Sequence, residues 1–297
     1  MSTDISGIYA ATLTPLHDDE TPDTKAIPTL VEHLLRAGIH GLFAVGTHGE
    51  AYALNPEERG RVTHAFVRAA AGRVPVMAGI GAPTTRQALE NLRLVEAAGA
   101  DAVSVVTPYY VAPSQKEIYE HFRAIAEASS LPVVLYNLPG RTHVAIEPPT
   151  MARLAKIDQI VGVKDSSGDL NNTIDFIRLT PYDFSVMNGN DGLIFSTLMA
   201  NGAGAVSAGA NIIPAIMVGI YENIKNDDIE EARALQMKAI ALRRCFSLST
   251  VPDPIKEAAR LIGLPVGPTA RPCGPISPEA RETLIAVLQK LGLDMTS

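Results

Sequence analysis

The sequence has few of the residues that would build a disulfide scaffold or a metal site. Only two of its 297 residues are cysteines, Cys245 and Cys273, and neither lies in a CxxC or histidine-rich setting. Two such thiols predict neither a disulfide framework nor a zinc site, and they fit a reducing cytoplasm. Six of the seven histidines, all but His48, share no metal-ligand spacing. We therefore expect no metal.

The sequence also has no long apolar run and no basic run. No window reaches the roughly 18 unbroken apolar residues that a membrane helix needs, and the N-terminal segment lacks the basic and apolar parts of a signal peptide. The formal charge is −7, and lysine and arginine form no track for phosphates, which argues against nucleic-acid binding. We expect a soluble, untargeted cytoplasmic protein that binds neither nucleic acid nor a membrane.

Hydrophobic residues make up 46% of the chain, and up to residue 210 many of them fall into eight short runs. The runs are mostly apolar rather than alternating, which is typical of parallel strands that are covered on both faces. Longer segments between them have apolar residues three and four positions apart and predict amphipathic helices. The predicted strands are residues 7–13, 41–46, 75–80, 102–108, 132–137, 160–165, 184–189 and 205–210.

Eight strand–helix units without an obvious linker predict an α/β fold, a (β/α)₈ TIM barrel, over residues 1–224. After residue 224 the strand signals stop, and three helical segments predict a C-terminal helical extension over residues 225–297. A doubly wound open sheet is the alternative, but that fold normally has a glycine-rich dinucleotide turn after its first strand. Here the first strand runs into TPLHDDE, and AGIGAPTT at residues 78–85 is interpreted as a tight turn between strand and helix.

Polar side chains collect at the carboxyl ends of the predicted strands, where barrel enzymes have their active sites. Lys164 ends the sixth strand, and an apolar surround there would favour an uncharged amine that attacks a carbonyl. A lysine at a strand end can instead reach solvent as a surface charge. Tyr136, at the end of the fifth strand, is placed to act as a general acid and base. The segment GTHGE, residues 46–50, offers closely spaced backbone N–H groups that favour a substrate carboxylate.

Four motifs in this order resemble those of the Schiff-base lyase family that includes dihydrodipicolinate synthase and N-acetylneuraminate lyase. The family's Gly-Thr-Thr-Gly-Glu loop appears as GTHGE, and the other motifs are TPYY at residues 107–110, LYNLPGRT at 135–142 and GVKDSSGD at 162–169. The likeness covers nearly the whole chain. It implies that Lys164 condenses with pyruvate or a pyruvate-derived 2-oxo acid, as a covalent imine without a separate cofactor, and that an aldehyde is the second substrate.

The resemblance also implies roles for further residues. Tyr136 would shuttle protons, Thr47 would help to hold the carboxylate and join a relay, and Tyr110 would complete that relay from an adjacent subunit. Since the family is commonly a dimer of dimers, we expect a homo-oligomer. The implied substrate-binding residues are His48, Arg141, Gly189, Asn190, Asp191, Val206 and Ser207.

Two of these positions point to different reactions. His48 stands where the synthase pattern has its second threonine, so either only its backbone N–H is used and its ring fills space, or the pocket is reshaped for a different aldehyde or oxo acid. Arg141 resembles an arginine that binds a carboxylate in the synthase, and a guanidinium can grip a carboxylate with two parallel hydrogen bonds. It can also be a surface loop charge.

The sequence therefore leaves several functions open. A dihydrodipicolinate synthase agrees with Arg141, Tyr110 and Tyr136, whereas His48 favours a 2-keto-3-deoxy sugar-acid or 4-hydroxy-2-oxoglutarate aldolase or dehydratase. A protein that binds 2-oxo acids without turning them over is an alternative of another class, because fold alone does not establish catalysis. A phosphate or flavin barrel would need a glycine-rich phosphate site after the seventh and eighth strands, and NGND and SAGANI match this poorly.

Overall fold

Parallel strands close into a barrel in the computed structural model, which describes residues 5–295. Within that range eight strands pair in chain order, and the last pairs with the first. They are β1 (Gly7–Ala11), β2 (Gly41–Ala44), β3 (Val76–Gly79), β4 (Ala102–Val106), β5 (Val133–Asn137), β6 (Ile160–Asp165), β7 (Ser185–Asn188) and β8 (Gly204–Ser207). The predicted barrel is confirmed, and the open sheet is wrong.

Helices connect successive strands, as the 3.6-residue periodicity predicts. Nine of them precede or follow the barrel strands: α1 (Ile27–Arg36), α2 (Pro56–Ala70), α3 (Thr85–Ala97), α4 (Gln115–Ala128), α5 (Pro139–Thr142), α6 (Pro148–Leu154), α7 (Leu170–Leu179), α8 (Ile194–Met199) and α9 (Pro214–Lys225). Three more form the C-terminal part of residues 5–295: α10 (Ile229–Cys245), α11 (Asp253–Leu261) and α12 (Pro278–Lys290). Short 3₁₀ turns lie at Asp191–Leu193 and Gly209–Asn211.

The starts of the helices follow from local side-chain chemistry. At α2 the side chain of Asn55 accepts from the backbone N–H of Glu58 at 2.9 Å, and the Glu58 carboxylate accepts from the N–H of Asn55 at 3.0 Å. Ser114 and Glu117 make the same reciprocal pair at the start of α4. Each pair satisfies backbone donors that have no partner within the helix. Asp169 begins α7 by accepting from the N–H of Asn171, so the polar segment after Lys164 caps a helix.

Apolar side chains form a layer between strands and helices, and a smaller cluster fills the barrel interior. The interior cluster includes Tyr9, Phe43, Met77, Tyr136, Met187 and Val206, and all of these residues are buried. Large side chains therefore pack the centre of the barrel, as expected when strands alternate between an inner and an outer face. Lys164 lies among them.

The C-terminal helices pack against the barrel and reach the loop after β2. Helix α10 packs along α9, and α12 contacts both α10 and α11. Glu50, in that loop, forms an ion pair with Lys256 of α11, and both side chains are fully buried. The division into a barrel, residues 1–224, and an extension, residues 225–297, stays a prediction. Among the helices of residues 5–295, none has the length and apolar character to span a bilayer.

Candidate active site

The amine of Lys164 lies inside the barrel, near the carboxyl end of β6. The residue is only 2% exposed, and its Nζ lies 4.2 Å from the centroid of the Tyr136 ring and 4.9 Å from that of Phe43. Tyr136 is the residue of β5 that pairs with Lys164 in the sheet register, which explains their proximity. The lysine is therefore not a surface charge: it faces two aromatic rings in the barrel interior.

Asp165, which follows Lys164 on β6, anchors the end of this strand through hydrogen bonds on the outer face of the barrel. The Asp165 carboxylate accepts hydrogen bonds from the amide of Asn137 at 2.9 Å, the hydroxyl of Ser167 at 3.0 Å and the hydroxyl of Thr173 at 2.7 Å. Because successive residues of a strand point to opposite faces, these bonds hold Asp165 outside while Lys164 points inward. They tie β5, β6 and α7 together and so fix the backbone that carries the amine.

Gly189 gives Lys164 the space that it occupies. A Cβ atom added at Gly189 would lie 1.8 Å from Oγ of Ser166 and 2.8 Å from Cε of Lys164, which is closer than non-bonded atoms approach. The backbone N–H of Gly189 donates to the carbonyl of Asp165 at 2.7 Å. Gly189 was predicted to bind substrate, but the structure first needs it for packing. Only a residue without a side chain lets the end of β7 approach the strand that carries Lys164.

The phenol of Tyr136 has a hydroxyl neighbour as well as the amine. Its OH lies 3.4 Å from Oγ1 of Thr47, which the loop after β2 supplies. Burial alone raises the pKa of Tyr136, but the positive charge of Lys164 and the hydrogen bond with Thr47 outweigh burial and lower the pKa below its ordinary value. A phenol with a lowered pKa gives up and takes back a proton more readily near neutral pH.

The imidazole of His48 is enclosed beside this pair. Its Nδ1 is buried and has no hydrogen-bond partner within residues 5–295. Burial, together with the positive charges of Lys164, Arg141 and Arg243, lowers the pKa of His48 to about 3. The ring is therefore neutral in ordinary assay conditions. The hydroxyl of the GTHGE loop that lies within reach of the Tyr136 OH belongs to Thr47.

The loops after β7 and β8 supply the remaining predicted residues. Asp191 is 2% exposed, and its Oδ2 accepts from the N–H of Gly209 at 2.8 Å. Burial raises the pKa of Asp191, and hydrogen bonds with Ser207 and Gly209 oppose that rise. Oδ1 of Asp191 has no partner in the described part of the chain. Ser207 accepts from the N–H of Ala210 at 3.0 Å, and Val206 lies in the barrel interior.

A cavity of about 330 Å³ brings most of these side chains together. A second cavity of about 200 Å³ lies on the other side of Thr47 and Tyr136, and Arg141, which is exposed, lines both. The residues of the first cavity include Thr47, His48, Tyr136, Arg141, Ser166, Gly189, Asn190, Asp191, Arg243 and Phe246.

Tyr110 is the predicted residue that the single chain does not bring to this site. It is 98% exposed, and its backbone has a φ of 77°, a conformation that non-glycine residues rarely adopt. Neither cavity is lined by its side chain. Its neighbour Tyr109 lines the 200 Å³ cavity instead.

Sequence reasoning missed the contribution of α10. Arg243 and Phe246 line the larger cavity, and the guanidinium carbon of Arg243 lies 5.4 Å from the centroid of the Phe246 ring. No motif marks these residues, because their position depends on how α10 packs over the barrel. Phe43 was also missed, since it lies in an apolar run that indicates only a buried strand.

A closed α/β barrel with a buried lysine beside a tyrosine, at the carboxyl ends of its strands, defines a Schiff-base lyase of the class I aldolase type. The chain belongs to the dihydrodipicolinate synthetase family, whose model matches residues 4–291. The predicted family is thereby confirmed, and the chain is an enzyme of the lyase class.

Known relatives resemble the chain over almost its whole length. It is 41% identical to the 4-hydroxy-tetrahydrodipicolinate synthase of Methanopyrus kandleri, over 99% of this chain and 98% of that protein. A dihydrodipicolinate synthase of Bacillus anthracis matches its structure with a TM-score of 0.93 at 34% identity, covering 96% of this chain and 98% of that one. A prophage protein of E. coli K12 from the same family, solved in complex with pyruvate, gives a TM-score of 0.93 at 30% identity and covers 97% and 99% of the two chains.

Proposed function

We propose that the protein condenses pyruvate with an aldehyde through an imine on Lys164. The observation that carries this proposal is the position of the Lys164 amine, buried in the barrel and 4.2 Å from the centroid of the Tyr136 ring. An amine at this position lies beside the Tyr136 phenol at the carboxyl ends of the strands, where it can attack the carbonyl of a bound substrate. No separate cofactor is needed, because the imine itself draws electrons from the substrate.

The reaction proceeds in balanced steps. The Lys164 amine attacks the keto carbon of pyruvate, and the carbinolamine loses water to give the imine. The methyl carbon then loses a proton, and the resulting enamine forms a carbon–carbon bond with the aldehyde carbon, whose oxygen takes up a proton. Water finally hydrolyses the imine and frees Lys164. Tyr136 carries the protons, and Thr47 hydrogen-bonds with its hydroxyl.

The loop after β2 is the proposed binding site for the carboxylate of pyruvate. In the described part of the chain, the backbone N–H groups of Thr47 and His48 have no acceptor. Adjacent free N–H groups in a turn form a concave site for an anion. A carboxylate held there places the keto carbon of pyruvate beside Tyr136 and the lysine.

The first candidate reaction is that of the curated relatives, which are named 4-hydroxy-tetrahydrodipicolinate synthases. In this reaction the aldehyde is aspartate semialdehyde, the pathway is lysine biosynthesis, and the compartment is the cytoplasm. Arg141 supports this choice: it lines both cavities and has no carboxylate partner within residues 5–295, so it is free to bind a substrate carboxylate.

The proposed active form is a homo-oligomer, a dimer of dimers. Tyr110 supports it, because an almost fully exposed aromatic side chain on a strained backbone is costly unless a contact fixes it. Val111, the next residue, is also exposed, at 58%, and so is Tyr52, at 52%, which lines the 200 Å³ cavity together with Tyr109. In this assembly Tyr110 would reach the Thr47–Tyr136 pair of the adjacent subunit. Sedimentation velocity measures the number of subunits and should find a tetramer.

Borohydride reduction in the presence of pyruvate tests the imine directly. The reagent converts an imine into a stable secondary amine, so mass spectrometry of a digest should find a pyruvyl adduct on Lys164. Lys164→Ala should abolish the adduct and the condensation, whereas Lys156→Ala, at an exposed lysine, should leave both unchanged. An unmodified Lys164 would refute the proposal, and an adduct without turnover of any aldehyde would indicate a protein that only binds 2-oxo acids.

A second candidate reaction is the aldol cleavage of a 2-keto-3-deoxy sugar acid or 4-hydroxy-2-oxoglutarate, or a related dehydration. The observation that favours it is the neutral, enclosed ring of His48, which stands where the synthase motif has a threonine. Coupled assays with aspartate semialdehyde and with 2-keto-3-deoxy acids rank the two candidates. Negligible turnover of the semialdehyde would remove the first.

A further inference from the structure

Arg141 depends on the backbone of α5 for its position. Its side chain is exposed and lines both cavities, and its guanidinium has no ion pair or hydrogen bond among residues 5–295. A long side chain without partners samples many rotamers, so the backbone that carries it sets where its charged end can reach. Whatever holds α5 in place therefore decides whether Arg141 meets a bound substrate.

Helix α5 is too short to hold itself in place. It has four residues, and the side chain of its N-cap residue, Leu138, makes no capping hydrogen bond. His143, which follows the helix, has a left-handed backbone with a φ of 57°. Short helices are unstable without tertiary contacts. Thr142 is the buried residue of α5, so the contacts of Thr142 anchor the helix.

The hydroxyl of Thr142 meets that of Thr107, the first residue after β4. The two Oγ1 atoms lie 2.8 Å apart, and both side chains are buried. Each hydroxyl also lies within hydrogen-bond distance of the carbonyl of Val144, at 3.1 Å for Thr107 and 3.0 Å for Thr142. Buried polar groups are costly to leave unpaired, so these contacts resist separation. We call the Thr107–Thr142 pair the threonine latch.

The backbone of Thr107 is itself fixed to the strand that carries the catalytic phenol. Its N–H donates to the carbonyl of Tyr136 at 3.1 Å. Nearer the surface, the side chain of Gln115 donates to the carbonyl of Ala145 at 2.8 Å and accepts from the N–H of Glu147 at 3.1 Å. The loops after β4 and β5 are thus joined at two places, and the threonine latch is the inner one. Thr107 lines neither cavity.

We propose that Thr107 is a positioning residue for the acceptor: through the threonine latch it holds α5 where the guanidinium of Arg141 meets the carboxylate of the aldehyde. A misplacement of about 1 Å in a site can cost about a hundredfold in rate, so the loss of one buried hydroxyl is enough to weaken this contact. The inference rests on the first candidate reaction of the proposed function, in which the aldehyde carries a carboxylate.

Steady-state kinetics with pyruvate and aspartate semialdehyde test the threonine latch. Thr107→Val keeps the shape of the side chain and removes its hydroxyl. KM for the semialdehyde should rise about tenfold with kcat almost unchanged, because a binding contact is weakened and the chemistry is not. Thr107→Ser keeps a hydroxyl and should restore most of the affinity. An unchanged KM in Thr107→Val would overturn the inference.

Thr63→Val is the matched control. Thr63 is also a buried threonine, and its hydroxyl donates to the carbonyl of Arg59 at 2.8 Å, but its side chain lines neither cavity. The variant therefore loses a similar hydrogen bond away from α5, and KM for the semialdehyde should stay at the wild-type value. An equal rise of KM in Thr63→Val and Thr107→Val would contradict a specific role of Thr107.

A double-mutant cycle with Arg141→Met tests whether Thr107 acts through Arg141. Once the guanidinium is absent, α5 has no carboxylate to meet, so adding Thr107→Val should raise KM by less than about twofold further. A residue that only stabilises the fold would add its full effect in either background. A further tenfold rise in the Arg141→Met background would therefore refute the inference.

The borohydride-trapped pyruvyl adduct on Lys164 separates this inference from the proposed function. Thr107→Val should form the adduct as the wild type does, which also shows that the variant folds. If the wild type turns over the semialdehyde and Thr107→Val does so equally well, the threonine latch is wrong and the proposed function stands. A wild type that forms the adduct without turning over the semialdehyde removes the first candidate reaction and this inference with it. Should Thr107→Val not fold, the same cycle with Thr142→Val decides.

Discussion

The hydroxyl of Tyr136 is the group at this site that is best placed to move protons. It lies 3.4 Å from Oγ1 of Thr47, and the ring contacts the Lys164 amine. Tyr136→Phe keeps the ring and removes only the hydroxyl. We expect kcat to fall by about 10²- to 10⁴-fold, the usual contribution of a positioned acid or base. Steady-state kinetics measure the effect, with the exposed Tyr182→Phe as control, and a wild-type kcat in Tyr136→Phe would contradict the role.

The lowered pKa of His48 predicts how the stability of the protein depends on pH. The native state keeps the ring neutral, with a pKa of about 3, whereas the unfolded chain takes up a proton near the ordinary value of 6.5. Between these values protons favour the unfolded state, so the free energy of unfolding falls as the pH falls from about 6.5 toward 3. At pH 5 this loss amounts to about 2 kcal/mol for one such histidine.

The measurement is urea unfolding of the wild-type protein and of His48→Thr, each at pH 7 and pH 5. Other groups with shifted pKa values, such as His121, are common to both proteins and cancel in the comparison. The decrease in unfolding free energy from pH 7 to pH 5 should be smaller by about 2 kcal/mol in His48→Thr. Equal decreases would mean that the ring takes up a proton in the native state.

At the scale of elements, the apolar runs predict every strand but place several strand ends too late. The first predicted strand extends to Leu13, whereas β1 ends at Ala11, because Leu13 is still fully buried after the sheet pairing has stopped. Burial and hydrogen-bonded pairing therefore end at different residues.

Helices α5 and α6 were not predicted, since segments of four and seven residues are too short to show a helical period.

The position of a site residue relative to the strands decides whether it could be predicted from the sequence. Tyr136 and Lys164 lie near the carboxyl ends of strands and Thr47 lies in the loop after one, and closure of a barrel brings strand ends together whatever the details of packing. Arg243 lies in the last turn of α10, and nothing in its local sequence shows that this end of α10 reaches the cavity. A residue whose position depends on the docking of one helix over a distant loop gives no local signal.

At the scale of the whole molecule, a buried ion pair connects the C-terminal helices to the substrate loop. Lys256 of α11 pairs with Glu50, three residues after Thr47, and it also donates to the carbonyl of Pro268 at 2.6 Å. The second oxygen of Glu50 accepts from the N–H of Ala270 at 2.7 Å. Burial lowers the pKa of Lys256, and the charge of Glu50 opposes that shift. The loop that holds Thr47 is thus fixed from outside the barrel.

Removal of this lysine should affect stability and substrate binding together. Lys256→Met leaves the charge of Glu50 buried without a partner, which costs about 3–5 kcal/mol in other proteins, whereas the exposed Lys238→Met should cost almost nothing. Because Glu50 is in the substrate loop, KM for pyruvate should also rise. Adding Glu50→Gln to Lys256→Met should recover part of the stability, since no unpaired charge then remains. Urea unfolding and steady-state kinetics of the wild type, Lys256→Met, Lys238→Met and the double variant measure these effects. A Lys256→Met variant as stable as Lys238→Met would show that the ion pair does not support the loop.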